Sequence, residues 1–341
     1  MINEHQNGDV ATGPDMPEHG SALAAVEADS LVALAPALET AAGLARESRS
    51  PRTRSAYRYQ WEAFMAWCDA RGADALPAKP AVLAAYVADR ATVAGWKVAT
   101  LGQALSAISY THRMAGLPSP VGHPMVAATW EGARRTLGTA QRRAAPAVVS
   151  ELCSMIGGLA LGRLVGLRDR ALLTTGFAGA FRRSELVALD VADLTFTNDG
   201  LVVAVLRSKT DQEGAGATVG LPFGGNPETC PVRSMRAWLE ASNTIDGAVF
   251  RAVNRHGCIG PRLAGADVSR IVKRCAARAG LDARRYSGHS LRAGLATSAA
   301  SAGKSDRAIM AQGRWRSRAM VDRYVRDASL FRVNAAAGIG L

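Results

Sequence analysis

The sequence predicts a mainly α-helical chain with a small antiparallel β-sheet, divided into two domains. Three observations carry this. Residues 50–137 hold amphipathic patterns of helical spacing, punctuated by Pro77, Pro80, Pro118 and Pro120. The stretch GTAQRRAAPAV at 138–148 is polar, basic and interrupted by Pro146. Beyond it, three short alternating runs sit among renewed helical patterns.

Taken in order, residues 1–47 form an acidic, largely disordered N-terminal tail. Its first 20 residues are polar with Gly13, Pro14, Pro17 and Gly20, and 21–46 are alanine-rich enough for a loose helix. Ser50-Pro51 reads as an N-cap followed by proline at the first helical position. The helix it opens carries Tyr57, Trp61, Phe64, Met65 and Cys68 on one stripe, with Arg52, Arg58 and Gln60 opposite. Helices at 80–93, 98–115 and 124–137 complete an all-helical domain over 48–137. A linker spans 138–148, and a second domain spans 149–341.

The second domain opens with helices at 149–160 and 166–178. Strands follow in LTFT (194–197), LVVAVL (201–206) and ATVGLPF (217–223), with the charged, glycine-rich loop RSKTDQEGAG between the last two. Helices resume at 230–242, 265–280, 290–302, 305–313 and 317–327, before a mostly apolar end, VNAAAGIGL.

Composition narrows the function. Hydrophobic residues make up 48% of the chain, enough for a real core, yet no run approaches the roughly 18–20 apolar residues of a membrane span. The N-terminus lacks the basic and apolar regions of a secretory signal. The five cysteines include no C-x-x-C pair, so they read as buried free thiols in a reducing cytoplasm. The net charge is +12, unevenly spread. Residues 1–47 hold eight acids and one base, a net of −7, which leaves +19 on the other 294 residues. Such an excess predicts a polyanionic partner, most simply nucleic acid.

Two motifs fail on inspection. GHSLR at 288–292 resembles a nucleophile elbow but has Arg292 where the tight turn needs glycine. SAGKS at 301–305 ends like a phosphate loop, but its first required glycine is Ser298. The six histidines form no helical zinc pair, and no metal or nucleotide cofactor is expected. What remains is AQGRWRSRAMVDRY at 311–324, a tyrosine among arginines. Arginine is a permanently charged fork without an acceptor, so this crowding suggests a phenol that faces an anion.

Arg182, Lys209, His289-x-x-Arg292, Trp315 and Tyr324 occur in that order, the last two nine apart. In this order and spacing the chain resembles the tyrosine recombinase (phage integrase) family over roughly 50–330. Within the family it looks most like Cre recombinase, on Trp315, on SGHS before Arg292, on Trp67-Cys68 and on HRMAGLPSP at 112–120. The resemblance implies a C-shaped, two-domain DNA clamp, made of a helical core-binding (SAM-like) domain and an α+β catalytic domain. It implies that Arg182, Arg292 and Lys209 neutralise a DNA phosphate, with Trp315 as a further donor. Tyr324 would be the nucleophile, His289 its base or relay, Lys209 the acid for the departing 5′-hydroxyl, and Glu185 the brace of Arg182.

Double-stranded DNA with inverted-repeat sites is the expected partner. Arg54, Arg58, Lys97 and Gln103 are its candidate contacts on the first domain, and Arg284 and Arg285 on the second. A homotetramer on DNA is expected, with 328–341 docked into a neighbouring protomer, and no membrane. A type IB topoisomerase shares much of the constellation, but the separate unit at 50–137 argues against it. The complete residue set argues against a DNA-binding protein that has lost catalysis.

Overall fold

A computed structural model of the protein describes residues 34–37, 39–41, 43–44, 48–140, 143–206 and 216–329. It is mainly helical with two small antiparallel sheets. Two compact units divide the chain, Met1–Gln141 and Arg142–Leu341. The acidic tail falls mostly outside the described residues; the parts described at 34–44 are helical.

The first unit is built from α1 (Pro51–Asp69), α2 (Pro80–Thr92), α3 (Val98–Met114) and α4 (Pro124–Leu137). Ser50 Oγ accepts from the Thr53 N–H, and prolines open α1, α2 and α4, where a missing N–H costs nothing. Helix α1 packs on α3, and α2 on α4. Their core gathers around Tyr86, whose ring meets Phe64 at 4.9 Å, Trp67 at 5.3 Å and Trp96 at 6.1 Å.

The expected stripe of α1 is corrected by this packing. Gln60 is buried, not solvent-facing, because it lies four and seven residues before Phe64 and Trp67 on the inward face. His112, fully buried, accepts the Ala78 N–H at Nε2 (3.0 Å) and lies 2.8 Å from the Ile108 carbonyl at Nδ1. It thereby pins the α1–α2 connection to α3.

The second unit contains α5 (Val149–Gly157), α6 (Leu164–Ala178), α7 (Arg183–Ala188), β1 (Leu194–Phe196), β2 (Gly200–Val205), β3 (Ala217–Pro222), α8 (Pro231–Ala241), β4 (Arg251–Val253), β5 (Ile259–Arg262), α9 (Gly265–Arg278), α10 (Gly288–Ser301), α11 (Asp306–Gly313) and α12 (Asp322–Ser329). Strands β1-β2-β3 form one antiparallel sheet and β4-β5 a hairpin. Helix α6 is central, buried on most of its faces against α8 and α10. Its Asp169, fully buried, accepts from Arg168 (2.7 Å) and Arg274 (2.6 Å), which compensates the buried charge.

Three further differences from expectation are informative. The helix expected over 317–327 is a 3₁₀ turn, Arg318–Met320, followed by α12, with the break at fully buried Val321. Residues 143–148, expected as linker, are built into the second unit. The Ala145 and Ala147 N–H groups donate to the Arg285 and Ser290 carbonyls, and Ala147 is fully buried. Cys153 and Cys258 are exposed, against the expectation of buried thiols, while Cys68, Cys230 and Cys275 are buried; all five are free. Among the described residues no helix is long and apolar enough to cross a membrane.

Candidate active site

Three helix starts and one helix end build the site. Helix α10 begins at Ser287, whose hydroxyl accepts the His289 N–H (3.2 Å), while Ser290 Oγ accepts the Ser287 N–H (2.9 Å). This reciprocal cap fixes the first turn, and that turn carries His289 and Arg292 three apart on neighbouring positions. Helix α7 begins at Arg182. Glu185 closes its cap, accepting the Arg182 N–H (2.9 Å) and its guanidinium (2.5 Å). The end of α11 delivers Trp315, and α12 delivers Tyr324.

A small apolar cluster joins these pieces: Ala180, Ala293, Ala296, Ile309, Trp315, Val321 and Tyr324. Trp315 and Tyr324 are each only 6% exposed, and their rings lie 6.0 Å apart. The turn before Trp315 requires glycine, since a Cβ on Gly313 would sit 1.9 Å from the indole. His289 Nε2 lies 3.0 Å from Tyr324 Oη. The Arg292 guanidinium stacks on the Trp315 ring at 4.1 Å and donates to the Ala180 carbonyl (2.5 Å). The structure therefore brings His289, Arg292, Trp315 and Tyr324 into one cluster, with Arg182 near enough for its charge to act on Arg292. Lys209 lies at 207–215, outside the described residues.

Electrostatics at this cluster are strained in one direction. Arg292 is 2% exposed, and burial, then the Arg182 charge, push its pKa down to about 9. Its Nη2 is buried without a partner. His289 is exposed as a residue, but loss of hydration at the ring and the charges of Arg292, Arg323, Arg183 and Arg182 push its pKa down. Burial opposes ionisation of Glu185, yet Arg314 and Arg182 outweigh it and hold the carboxyl below its usual range. A crowd of cations with an unpaired buried donor is chemically suited to an anion.

Two residues at this site were not singled out from the sequence. Arg314 donates to Glu185 (2.7 Å) and to the Gly179 carbonyl (3.1 Å), from a left-handed backbone at φ 56°. Arg323 donates to Tyr324 Oη (2.7 Å). The arginine-rich run around Tyr324 held the signal, but nothing in its spacing separated these two from Arg316 or Arg318.

The candidate DNA contacts are more scattered. On the first unit Arg58, Lys97 and Gln103 are exposed and Arg54 is half-buried. On the second, Arg284 and Arg285 line a cleft of about 600 Å³ with Arg143 and Lys273. The Arg284 guanidinium is already bound to Asp282 (3.0 Å). Among the described residues no group of three or more potential ligands could hold a metal.

Residues 159–330 match the model of the phage integrase family. Over 293 residues the chain is 38% identical to an integrase/recombinase xerD homologue of Selenomonas ruminantium, covering 85% of each. The chain belongs to the phage integrase family of tyrosine recombinases. Membership makes this recombinase an enzyme of DNA strand breakage and rejoining. Its identity to recombinase cre of Escherichia phage P1 is 26%, over 77% of this chain and 80% of that one. The likeness to Cre read from Trp315, SGHS, Trp67-Cys68 and HRMAGLPSP is thus the more distant of the two, with the xerD homologue the nearer. The fold is shared with XerH bound to a palindromic difH substrate in a post-cleavage complex (TM-score 0.57, 17% identity, 76% and 72% of the two chains). It is also shared with a lambda integrase(75-356) dimer bound to a COC′ core site (TM-score 0.56, 17% identity, 83% and 92%).

Proposed function

We propose that this recombinase is site-specific and exchanges strands through a 3′-phosphotyrosine and a four-way junction. The observation that carries the reading is Tyr324 Oη, 3.0 Å from His289 Nε2 in a cluster shared with buried, under-partnered Arg292. In this reading Arg182 and Arg292 clamp the non-bridging oxygens of the scissile phosphate, and the Trp315 indole N–H adds a donor. Charge gathers on those oxygens in the five-coordinate transition state, so donors fixed beforehand lower its energy more than that of the ground state. His289 takes the phenol proton as Tyr324 attacks phosphorus. The bond to the 5′ oxygen breaks, and that oxygen takes a proton from Lys209. Glu185 positions Arg182.

The phosphotyrosine bond conserves the energy of the broken ester, so the cycle needs neither ATP nor metal. A 5′-hydroxyl from a partner strand reverses the chemistry, and two such rounds yield a recombinant. We take the functional form to be a homotetramer on inverted-repeat DNA in the cytoplasm. Both domains then contact the duplex, and the segment 328–341, of which 330–341 lie outside the described residues, docks into a neighbour.

A suicide DNA substrate resolved on a denaturing gel tests the chemistry. The wild-type chain is expected to leave a covalent adduct and Tyr324→Phe none. An adduct that survives in Tyr324→Phe removes Tyr324 as the nucleophile. Exchange of strands between two duplexes, rather than relaxation of one, separates recombination from topoisomerase action.

A further inference from the structure

We infer that Arg323 is a further catalytic residue, a cationic donor that stabilises the Tyr324 oxygen as it becomes the attacking phenolate. The inference rests on the reading of Tyr324 as nucleophile. Adjacent residues on a helix point about 100° apart, so neighbours in sequence do not ordinarily meet. Arg323 reaches its neighbour by folding over it. Its guanidinium lies 4.6 Å from the Tyr324 ring centroid, and Nη2 donates to Oη at 2.7 Å. Its Nε is buried with no partner, and no carboxylate pairs with it among the described residues, whereas the preceding Asp322 is engaged by Arg318. A half-buried cation with no carboxylate partner acts on whatever negative charge develops beside it.

The hydrogen-bond inventory of the phenol gives each neighbour its part. Oη has one proton to donate and lone pairs to accept with. Arg323 can only donate, so it occupies a lone pair. The phenol proton is then left for His289 Nε2, whose ring is kept neutral by burial and by the cations around it. In the step itself the phenol O–H bond breaks and its proton passes to His289. The oxygen forms its bond to phosphorus, and the bond to the 5′ oxygen breaks. Arg323 holds the negative charge in the interval before it moves onto the phosphate. On the return step the phenolate is the leaving group, and the same donor receives it. The charges of Arg292, Arg323, Arg183 and Arg182 act on His289 beside this oxygen, and those of Arg182, Glu185 and Arg314 act on Arg292.

The test measures single-turnover adduct formation and its reversal across pH for Arg323→Ala, Arg323→Gln and Arg323→Lys. Melting and DNA binding of each variant serve as the fold control. Removing one donor to a developing oxyanion costs on the order of 10²–10³ in rate. Arg323→Ala and Arg323→Gln are expected to lose about that much in both directions, with the rising limb of the pH profile displaced upward. Arg323→Lys, still cationic, is expected to recover much of the loss. A 5′-phosphorothiolate substrate, whose thiolate leaves without a proton, should not rescue the alanine variant. Wild-type rates and an unchanged pH profile in Arg323→Ala, or full rescue by the phosphorothiolate, would overturn the assignment. If Tyr324→Phe still forms adduct, the reading of the nucleophile fails instead, so the two failures are distinct.

Discussion

Glu185 shows how much one side chain can organise. It is 2% exposed, and it holds the Arg182 backbone, the Arg182 guanidinium and Arg314. Its carboxyl is held below the ordinary range against the opposing effect of burial. The folded pKa is therefore lower than the unfolded value, near 4.3. Stabilisation from this group is present above that value and is lost as pH falls through the folded pKa. Breaking a buried ion pair by removing one partner costs about 3–5 kcal/mol. Glu185→Gln is expected to lose roughly that much at pH 7 and to show a shallower decline on acidification, read from urea unfolding at neutral and acid pH. A variant as stable as wild type at pH 7 would show the carboxylate to be dispensable. At this scale the candidates Arg182, His289, Arg292, Trp315 and Tyr324 could be picked out by residue type and order, and the structure brings the last four together. Arg314 and Arg323 could not be picked out, because what distinguishes them is geometry: a left-handed backbone at one and a folded-back guanidinium at the other.

Among the elements, α10 carries the most constraint. It is buried along most of its length and presents Gly294 to the chain entering the second unit. A Cβ on Gly294 would stand 1.9 Å from the Ala147 carbonyl oxygen, which is backbone and cannot step aside. Gly294→Ala is expected to destabilise the unit by about 1–3 kcal/mol, the usual cost of forcing atoms into a filled core. Thermal melting reads this directly, and an unchanged melting point would mean that the segment 143–148 is loose. Most helices could be read from the sequence, because prolines mark their starts and apolar spacing marks their faces. The hairpin β4–β5 could not. Its strands span three and four residues, one includes Pro261, and neither is long enough to show alternation. The inward turn of Gln60 was also hidden, since a polar side chain gives no sign of burial until its neighbours Phe64 and Trp67 are placed.

Across the whole molecule, the excess of +19 outside the first 47 residues is the property that DNA binding should use. Affinity for duplex DNA is expected to fall steeply with salt, and each lost phosphate contact should reduce the salt slope by about 1. Arg285→Ala should reduce it more than Arg284→Ala, because the Arg284 charge is already answered by Asp282. Anisotropy titrations of labelled DNA at several salt concentrations decide this, and equal slopes for the two variants would show that the ion pair opens on binding.

The stitching of 143–147 to the histidine-bearing loop has a mechanical consequence. Backbone bonds from Ala145 and Ala147 to Arg285 and Ser290 leave no slack between the incoming chain and the turn that holds His289 and Arg292. The Ser290 carbonyl held by Ala147 belongs to the residue after His289, whose Nε2 lies 3.0 Å from Tyr324 Oη. Strain applied at 143–147 is therefore passed directly to the helix start that carries His289 and Arg292.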